Sequence, residues 1–259
     1  MSTLSEEKRF AQALARARNA GPAAGIGRLG EKTLHAALKY FLEPDETRHE
    51  QKLGRYVADA VTENGVIEIQ TRNFNTLRKK LAEFLEYAPV TVVFPAPRHK
   101  WIAWIDPANG EITKKRKSPK TGCGREIFRE LYKIKPFLKH ENFRLKIILF
   151  DLVEYRVLDG WSKDRKKGSS RAERIPEKLV QTIQISTPED YKKLLPELPD
   201  VFTSADLAKA AKLSAGASGT MLNILNYTGT VERVGKKKNA YLYALCRQPE
   251  KQPEISVFR

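Results

Sequence analysis

The chain is poor in the residues that build disulfide frameworks and zinc sites. Its 259 residues include two cysteines, Cys123 and Cys246, which lie far apart in the sequence. The four histidines are equally scattered, at positions 35, 49, 99 and 140, and none of these six residues has the short spacing of a zinc-ligand motif. We therefore expect both cysteines to be reduced and no zinc to be bound.

Long apolar runs are also missing. No stretch has the length and character of a signal peptide or a membrane-spanning helix, so we expect a soluble cytoplasmic protein without a membrane partner. Acidic residues are scarce beside basic ones: 31 Asp and Glu against 47 Lys and Arg give a formal net charge of +16. This excess predicts a polyanionic partner, and DNA is favoured over an anionic membrane because no amphipathic anchor with an aromatic face is present.

Two short strands joined by an Asn-Gly turn are predicted over residues 55–72. Asn-Gly tolerates the positive φ angles of a hairpin turn, and β-branched residues flank it on both sides. If Val61 pairs with Val66, Asp59 pairs with Glu68, and the two carboxylates lie side by side. Their repulsion calls for a cation, which a divalent metal would supply. The alternative is an ordinary amphipathic hairpin with solvated carboxylates.

The same residues carry a family resemblance. Asp59, followed by Glu68-Ile69-Gln70, with Glu31 on a preceding helix and a basic helix after the hairpin, resembles the PD-(D/E)XK nuclease superfamily. In that superfamily an Asp and the Glu of a Glu-x-Lys motif bind Mg²⁺, and the Lys helps to orient or activate water. The resemblance covers residues 1–110 and implies that Asp59 and Glu68 hold Mg²⁺ (or Mn²⁺).

Gln70 takes the place of the superfamily lysine. Because some members recruit a lysine from the next helix, the resemblance implies that Gln70 positions water with help from Lys79 or Lys80. Lysines on such a helix also commonly face solvent or contact phosphate. The resemblance implies that Glu31 is a third acidic residue near the metal. The favourable interaction of a Glu with a helix N-terminus explains the presence of Glu31 equally well. Arg72 continues the strand face of Glu68 and is a candidate DNA contact.

The remaining pattern of the first part of the chain predicts an α/β fold. Helices are predicted over 29–41, 73–87 and 125–138, with strands over 89–95 and 101–106 and a long strand or bent pair over 144–158. With the resemblance, these elements predict a restriction-endonuclease-like mixed sheet flanked by helices. Basic loops over 114–122 and 163–171 are solvated loops or a clamp on duplex phosphates. Their candidate DNA contacts are Lys114, Lys115, Arg116, Lys117, Lys166 and Lys167.

The C-terminal segment has a separate pattern. A capped helix over 203–211, a turn, a helix over 217–227 and two strands around a lysine-rich turn resemble a winged-helix (helix-turn-helix) domain, in which the second helix enters the major groove. The candidate groove residues are Ser218, Thr220 and Asn223, and the candidate wing contacts to phosphate are Lys236, Lys237 and Lys238. A winged helix used for packing or protein association is the alternative.

These observations predict three regions: a nuclease-like core over 1–110, a basic α/β extension or continuation of it over 111–198, and a winged helix over 199–259. The leading hypothesis is a Mg²⁺-dependent endodeoxyribonuclease that a winged-helix module directs to DNA. A non-catalytic DNA-binding regulator that keeps a nuclease-like fold is the main alternative, and a protein-interaction scaffold is a third. Nucleases that cut both strands often work as dimers, so a homodimer is left open.

Overall fold

A mixed β-sheet forms the centre of the first of two units into which the chain divides, Met1–Leu194 and Leu195–Arg259. The computed structural model describes residues 3–20, 30–161 and 167–246. The strands of the first sheet are β1 (His49–Leu53), β2 (Tyr56–Thr62), β3 (Gly65–Ile69), β4 (Val90–Ile105), β5 (Arg116–Lys117), β6 (Phe143–Trp161) and β7 (Lys167–Ile185).

The sheet has the order β1-β2-β3-β4-β6-β7, with β5 paired to β4. Strands β1, β2 and β3 form an antiparallel meander, β3, β4 and β6 run parallel, and β6 and β7 form a long antiparallel pair with four register shifts. The crossover from β3 to β4 contains α3 (Arg78–Phe84). This arrangement confirms the predicted α/β class with a large mixed sheet flanked by helices.

Helices cover both faces of the sheet. The long ones are α1 (Thr3–Ala20) and α2 (Gly30–Leu42), while α4 (Phe128–Leu131) is a single turn. Short 3₁₀ segments lie at Glu46–Arg48, Phe74–Leu77, Arg125–Ile127, Tyr132–Phe137 and Pro188–Leu194. One core cluster joins α1 and α2 to the sheet, and the rings of Phe10 and Phe150 lie 4.9 Å apart in it. Ala60, Ile67 and Ile69 belong to this cluster, so strand alternation directs Glu68 to the opposite face, where α3 packs.

The β2–β3 turn needs its glycine. Gly65 has a φ of +113°, and a Cβ at this position would lie 2.2 Å from the carbonyl oxygen of Pro89. Thr62 Oγ1 accepts a hydrogen bond from Asn64 N at 3.1 Å and donates one to Gly65 O at 3.1 Å. The turn therefore allows only a residue without a side chain at Gly65, and this fixes the pairing of Val61 with Val66.

Three element predictions in this unit were wrong. The strands predicted over 89–95 and 101–106 are one strand, β4, which passes through two prolines with a register shift between Pro97 and His99. The helix predicted over 125–138 is α4 between two 3₁₀ segments. The charged loop predicted over 163–171 overlaps the start of β7 at Lys167. Residues 111–194 belong to the first unit and share its sheet.

The second unit combines two helices with a three-stranded antiparallel sheet of order β8-β10-β9. Thr203 caps its first helix through a reciprocal pair of hydrogen bonds with Asp206, and Ser214 caps the second. Within the described residues, no helix combines the length and apolar character needed to cross a bilayer. The elements are β8 (Val201–Phe202), α5 (Ser204–Ala211), α6 (Ala215–Thr228), β9 (Val231–Lys237) and β10 (Ala240–Leu245).

Candidate functional site

The two predicted carboxylates lie where the backbone pairing of β2 and β3 ends. Ala60 pairs with Ile67 and Val61 with Val66, which confirms the predicted register and places Asp59 opposite Glu68. The Asp59 side chain then continues the pairing, because its Oδ2 accepts a hydrogen bond from Ile69 N at 2.7 Å. The hairpin therefore brings two carboxylates to one point, as the sequence predicted.

Glu68 is buried against a lysine from α3. Its side chain is 3% exposed, and Lys80 Nζ lies 2.9 and 2.8 Å from its two carboxylate oxygens. Burial, followed by the charge of Asp59, raises the pKa of Glu68 to about 7, although Lys80 acts to lower it. The carboxyl of Glu68 is therefore poised to gain or lose a proton near neutral pH.

Asp59 has a different environment. Burial acts to raise its pKa, but the hydrogen bond and charge of His35, the backbone N–H of Ile69 and the charge of Lys80 together hold that pKa below its ordinary value. His35 Nε2 lies 3.3 Å from Asp59 Oδ2. Asp59 is therefore the ionised member of the pair, and the opposite pKa shifts of the two carboxyls give them different chemical properties.

A cleft of about 700 Å³ is lined in part by His35 and Ile69, the two residues that contact the Asp59 carboxylate. Its lining includes His35 from α2 and the residues that follow β3, among them Gln70 and Arg72. Gln70 donates a side-chain hydrogen bond to the carbonyl oxygen of Arg72 and a backbone hydrogen bond to Val93 O. The Arg72 side chain is exposed at this cleft, so a polyanion that enters meets a positive charge.

The two carboxylates can be compared with the ligands that a metal ion requires. Among the described residues, no three His, Cys, Asp or Glu side chains cluster as a ready-made metal site. Mg²⁺ is commonly held by one or two carboxylates, with waters and substrate phosphates completing its coordination. Asp59 and Glu68 therefore fit Mg²⁺ or Mn²⁺ in chemistry and number, and do not form a complete protein cage.

The structure separates the two lysines that the sequence left as alternatives. Lys80 contacts Glu68, whereas Lys79 is exposed and lines a different cleft with Arg55 and Glu83. The placement of Lys79 at the carboxylates is therefore wrong, and Lys80 takes that position. Glu31 is in the first turn of α2, and its side chain lies outside the described residues.

The first basic loop packs on an aromatic ring. Arg116 and Lys117 form β5, which pairs with β4 at Ile102 and Trp101, and Lys115 and Lys117 each place their Nζ 5.6 Å from the Trp101 ring centroid. Lys114 is exposed beside them. In the second basic segment, Lys166 and the side chain of Lys167 lie outside the described residues.

The predicted DNA contacts of the second unit differ in their exposure to solvent. Ser218 is fully buried, and its hydroxyl donates to Ser204 O at 2.6 Å, so its placement in a DNA groove was wrong. Thr220 is half-buried and donates to Gly216 O at 2.9 Å, while Asn223 is exposed on the same helix. Lys236, Lys237 and Lys238 are all exposed at the β9–β10 turn.

Two features of the first unit were missed by the sequence analysis. His35 follows Glu31 by four residues, one helical turn, and this spacing would have placed it on the same side of α2. The second feature is a group of cations around a buried carboxylate, Glu154, on β6. No local motif indicates this group, because its members come from three strands.

Comparison with known proteins gives a family and a relative. The family model described as "Domain of unknown function (DUF8091)" matches residues 32–186. An "Uncharacterized protein" of Treponema pallidum (strain Nichols) is 32% identical over 189 residues, which are 69% of this chain and 72% of the relative. No solved structure matches the chain. The range matched by the family model contains His35, Asp59, Glu68 and Lys80.

Proposed function

The chain belongs to the family described as Domain of unknown function (DUF8091), and we propose that it is a metal-dependent nuclease that hydrolyses phosphodiester bonds in DNA. The observation that carries the proposal is the meeting of Asp59 and Glu68 on adjacent strands, with Lys80 from the next helix in contact with Glu68. The resemblance to the PD-(D/E)XK superfamily is supported by the element order of α2, the meander β1–β3, α3 and the parallel strand β4.

Asp59 and Glu68 would hold Mg²⁺ or Mn²⁺ in this proposal. When bound, the metal supplies an activated water and stabilises charge that develops on the scissile phosphate. The buried Glu68 carboxyl favours a cation for a physical reason: its raised pKa reflects burial and the repulsion from Asp59, and a positive charge between the two relieves that repulsion.

The chain's own residues orient and compensate this site. Lys80 contributes the positive charge that Gln70 lacks, from α3 instead of from the strand. His35 holds Asp59 Oδ2 together with the backbone N–H of Ile69, which limits the carboxylate to one orientation. Arg72, at the cleft, is placed to neutralise a phosphate of the bound strand.

The second unit would bring the site to DNA. Its order of strand, two helices and a β-hairpin supports a winged-helix assignment, in which α6 enters the major groove and the hairpin contacts the backbone. Asn223 and Thr220 remain candidate groove contacts on α6. The three lysines at the β9–β10 turn are suited to phosphate, and the Lys236 ammonium lies 4.6 Å from the ring centroid of Tyr241.

One observation favours a second candidate function. Lys80 already contacts both carboxylate oxygens of Glu68, and this ammonium balances the charge of Glu68 without a metal. A protein in which that contact persists would bind DNA and leave it intact, as a non-catalytic regulator. Its DNA affinity would fall with salt and would not depend on Mg²⁺.

The deciding experiment is cleavage of supercoiled plasmid and of branched and single-stranded DNA by the full chain, with Mg²⁺, Mn²⁺ or chelator. Wild type is compared with Asp59→Asn and Glu68→Gln, and with Glu177→Gln, which removes a carboxylate from a surface ion pair with Lys115. We expect metal-dependent cleavage that only the first two variants lose. No cleavage by wild type, alongside salt-sensitive DNA binding in chelator, would establish the second candidate instead.

A further inference from the structure

Glu154 lies at the centre of a group of four cations. Its side chain is 0% exposed, on the part of β6 that runs between β4 and β7. Arg174 is its direct partner on β7, and Arg156 follows it by two residues on the same face of β6, opposite Arg171. The distances to the Glu154 carboxylate are 2.6 Å for Arg156, 3.1 Å for Arg174, 3.4 Å for Arg171 and 3.5 Å for Lys100.

The group has more positive charge than Glu154 can balance. Four cations and one carboxylate leave an excess of three positive charges, and among the described residues no other carboxylate forms a salt bridge with any of the four. Burial and then the charge of Arg174 lower the pKa of the Arg171 guanidinium, and Arg72 contributes in the same direction. Cations held together against their repulsion attract an anion to the same place.

The cation group opens toward the carboxylate site. A cleft of about 280 Å³ is lined by Arg171, Ala172, Glu173 and Arg174 of β7 together with Leu34, Thr71 and Arg72. Leu34, Thr71 and Arg72 also line the cleft of about 700 Å³ to which His35 and Ile69, the partners of Asp59, contribute. A strand that lies in the larger cleft, next to the partners of Asp59, can therefore continue past Arg72 to the cation group.

We propose that Arg171 and Arg174, at the cleft shared with Arg72, form a phosphate subsite that holds the sugar-phosphate backbone of the DNA strand next to its cleavage point. The inference rests on the proposed nuclease function and adds the path of the substrate. Arginine suits this task because its planar guanidinium donates two parallel hydrogen bonds to phosphate oxygens. Glu154 holds the guanidinium groups in place before the strand arrives.

The test measures DNA binding in chelator, where catalysis plays no part. Fluorescence anisotropy of a labelled duplex and a labelled single strand, across a range of NaCl concentrations, gives the affinity and its salt dependence for the full chain. The variants are Arg171→Gln, which leaves three cations around Glu154, and the double variant with Arg174→Gln. The matched control is Arg55→Gln, which removes an 88% exposed arginine paired with Glu83 outside both clefts. Circular dichroism establishes that each variant is folded.

We expect the slope of log K against log salt to fall by about one for Arg171→Gln and by about two for the double variant, with weaker binding in both. Arg55→Gln should match wild type. Arg171→Lys keeps the positive charge, so its salt slope should stay near that of wild type. The comparison of Arg171→Gln with Arg171→Lys tests the subsite without the double variant, should that variant fail to fold.

Slopes of the Arg171→Gln variant equal to those of Arg55→Gln would overturn the inference, as would a wild-type chain that binds neither strand form. The two proposals fail separately. Reduced slopes without any metal-dependent cleavage leave the subsite standing and reject the nuclease. Cleavage with unchanged slopes rejects the subsite alone.

Discussion

Lys80 Nζ lies within 2.9 Å of both carboxylate oxygens of Glu68, across the space between α3 and β3. The contact joins a side chain that is 24% exposed to one that is 3% exposed. Lys80 is therefore the partly exposed partner of a buried carboxylate. Both the stability of the hairpin and the charge of the candidate site depend on this one ammonium.

Replacing Lys80 with methionine tests this dependence. The change keeps the length of the side chain and leaves Glu68 buried without its cation, so we expect the free energy of unfolding to fall by about 3 kcal/mol. If the chain is a nuclease, cleavage should fall about 100-fold or more. Urea denaturation and plasmid cleavage measure the two effects. Lys79→Met, one residue earlier and exposed, is the control and should change neither; equal losses in both variants would contradict the pairing.

If Asp59 and Glu68 hold a metal as proposed, the raised pKa of Glu68 makes that binding depend on pH. Below a pKa of about 7 the carboxyl carries a proton that a metal must displace. Mn²⁺ affinity should therefore fall about tenfold for each pH unit below that pKa and level off above it. Isothermal titration calorimetry in buffers of different ionisation heat measures both the affinity and the proton released. Glu68→Gln should bind Mn²⁺ weakly at every pH, and a pH-independent affinity in wild type would contradict the prediction.

Glu154 has the opposite pKa shift and a different consequence for stability. Burial acts to raise its pKa, but the hydrogen bond from Arg156 and the charges of Lys100, Arg174 and Arg171 lower it from 4.5 to about 2. Its stabilising contribution is therefore fully present above pH 4.5 and is lost as the pH falls through about 2.

We expect Glu154→Gln to lower the free energy of unfolding at neutral pH by about 3 kcal/mol. The difference from wild type should shrink as the pH is lowered toward 2. Glu177→Gln removes a surface ion pair with Lys115 and should cost less than about 1 kcal/mol. Urea denaturation over a pH series measures all three proteins. A loss that stays constant across the acid range would show that packing, and not charge, is what Glu154 provides.

If the second unit binds DNA as proposed, two residues of α6 should separate stability from DNA binding. Ser218→Ala removes a buried hydroxyl that donates to Ser204 O, so it should destabilise the second unit by about 1 kcal/mol without changing the DNA affinity of the folded protein. Asn223→Asp places a negative charge at an exposed position and should weaken DNA binding. Thermal unfolding and fluorescence anisotropy are the measurements. Weaker DNA binding by a folded Ser218→Ala would contradict the assignment of Ser218 to the buried face of α6 and Asn223 to its exposed face.

The hairpin was predictable because its turn allows few alternatives. An Asn-Gly turn between β-branched residues specifies the register, and Gly65 cannot be replaced without a clash with Pro89 O. The buried position of Ser218 was also readable: it precedes Met221 by three residues and Leu222 by four, and both of those side chains are buried.

Other features depend on geometry that the sequence does not specify. The choice between Lys79 and Lys80 depends on the angular phase of α3, which follows the 3₁₀ turn Phe74–Leu77 with its different number of residues per turn. The start of β7 was predicted as a loop, either solvated or in contact with phosphates, because the segment is so charged. Its arginines are accommodated by Glu154, ten or more residues away in the sequence on another strand, so the segment forms a strand despite its polarity.

The β6–β7 pair also bears on the solubility of the chain. Strand β7 is the outer strand of the sheet in the described part of the chain, and its 19 residues would offer a long row of unpaired backbone groups to a neighbouring molecule. Four register shifts with β6 increase the local twist, Pro176 removes one donor, and charged side chains such as Glu177 and Lys178 lie along the strand. Together these features discourage edge-to-edge pairing between copies, so the strand that carries the cation group is also protected against aggregation.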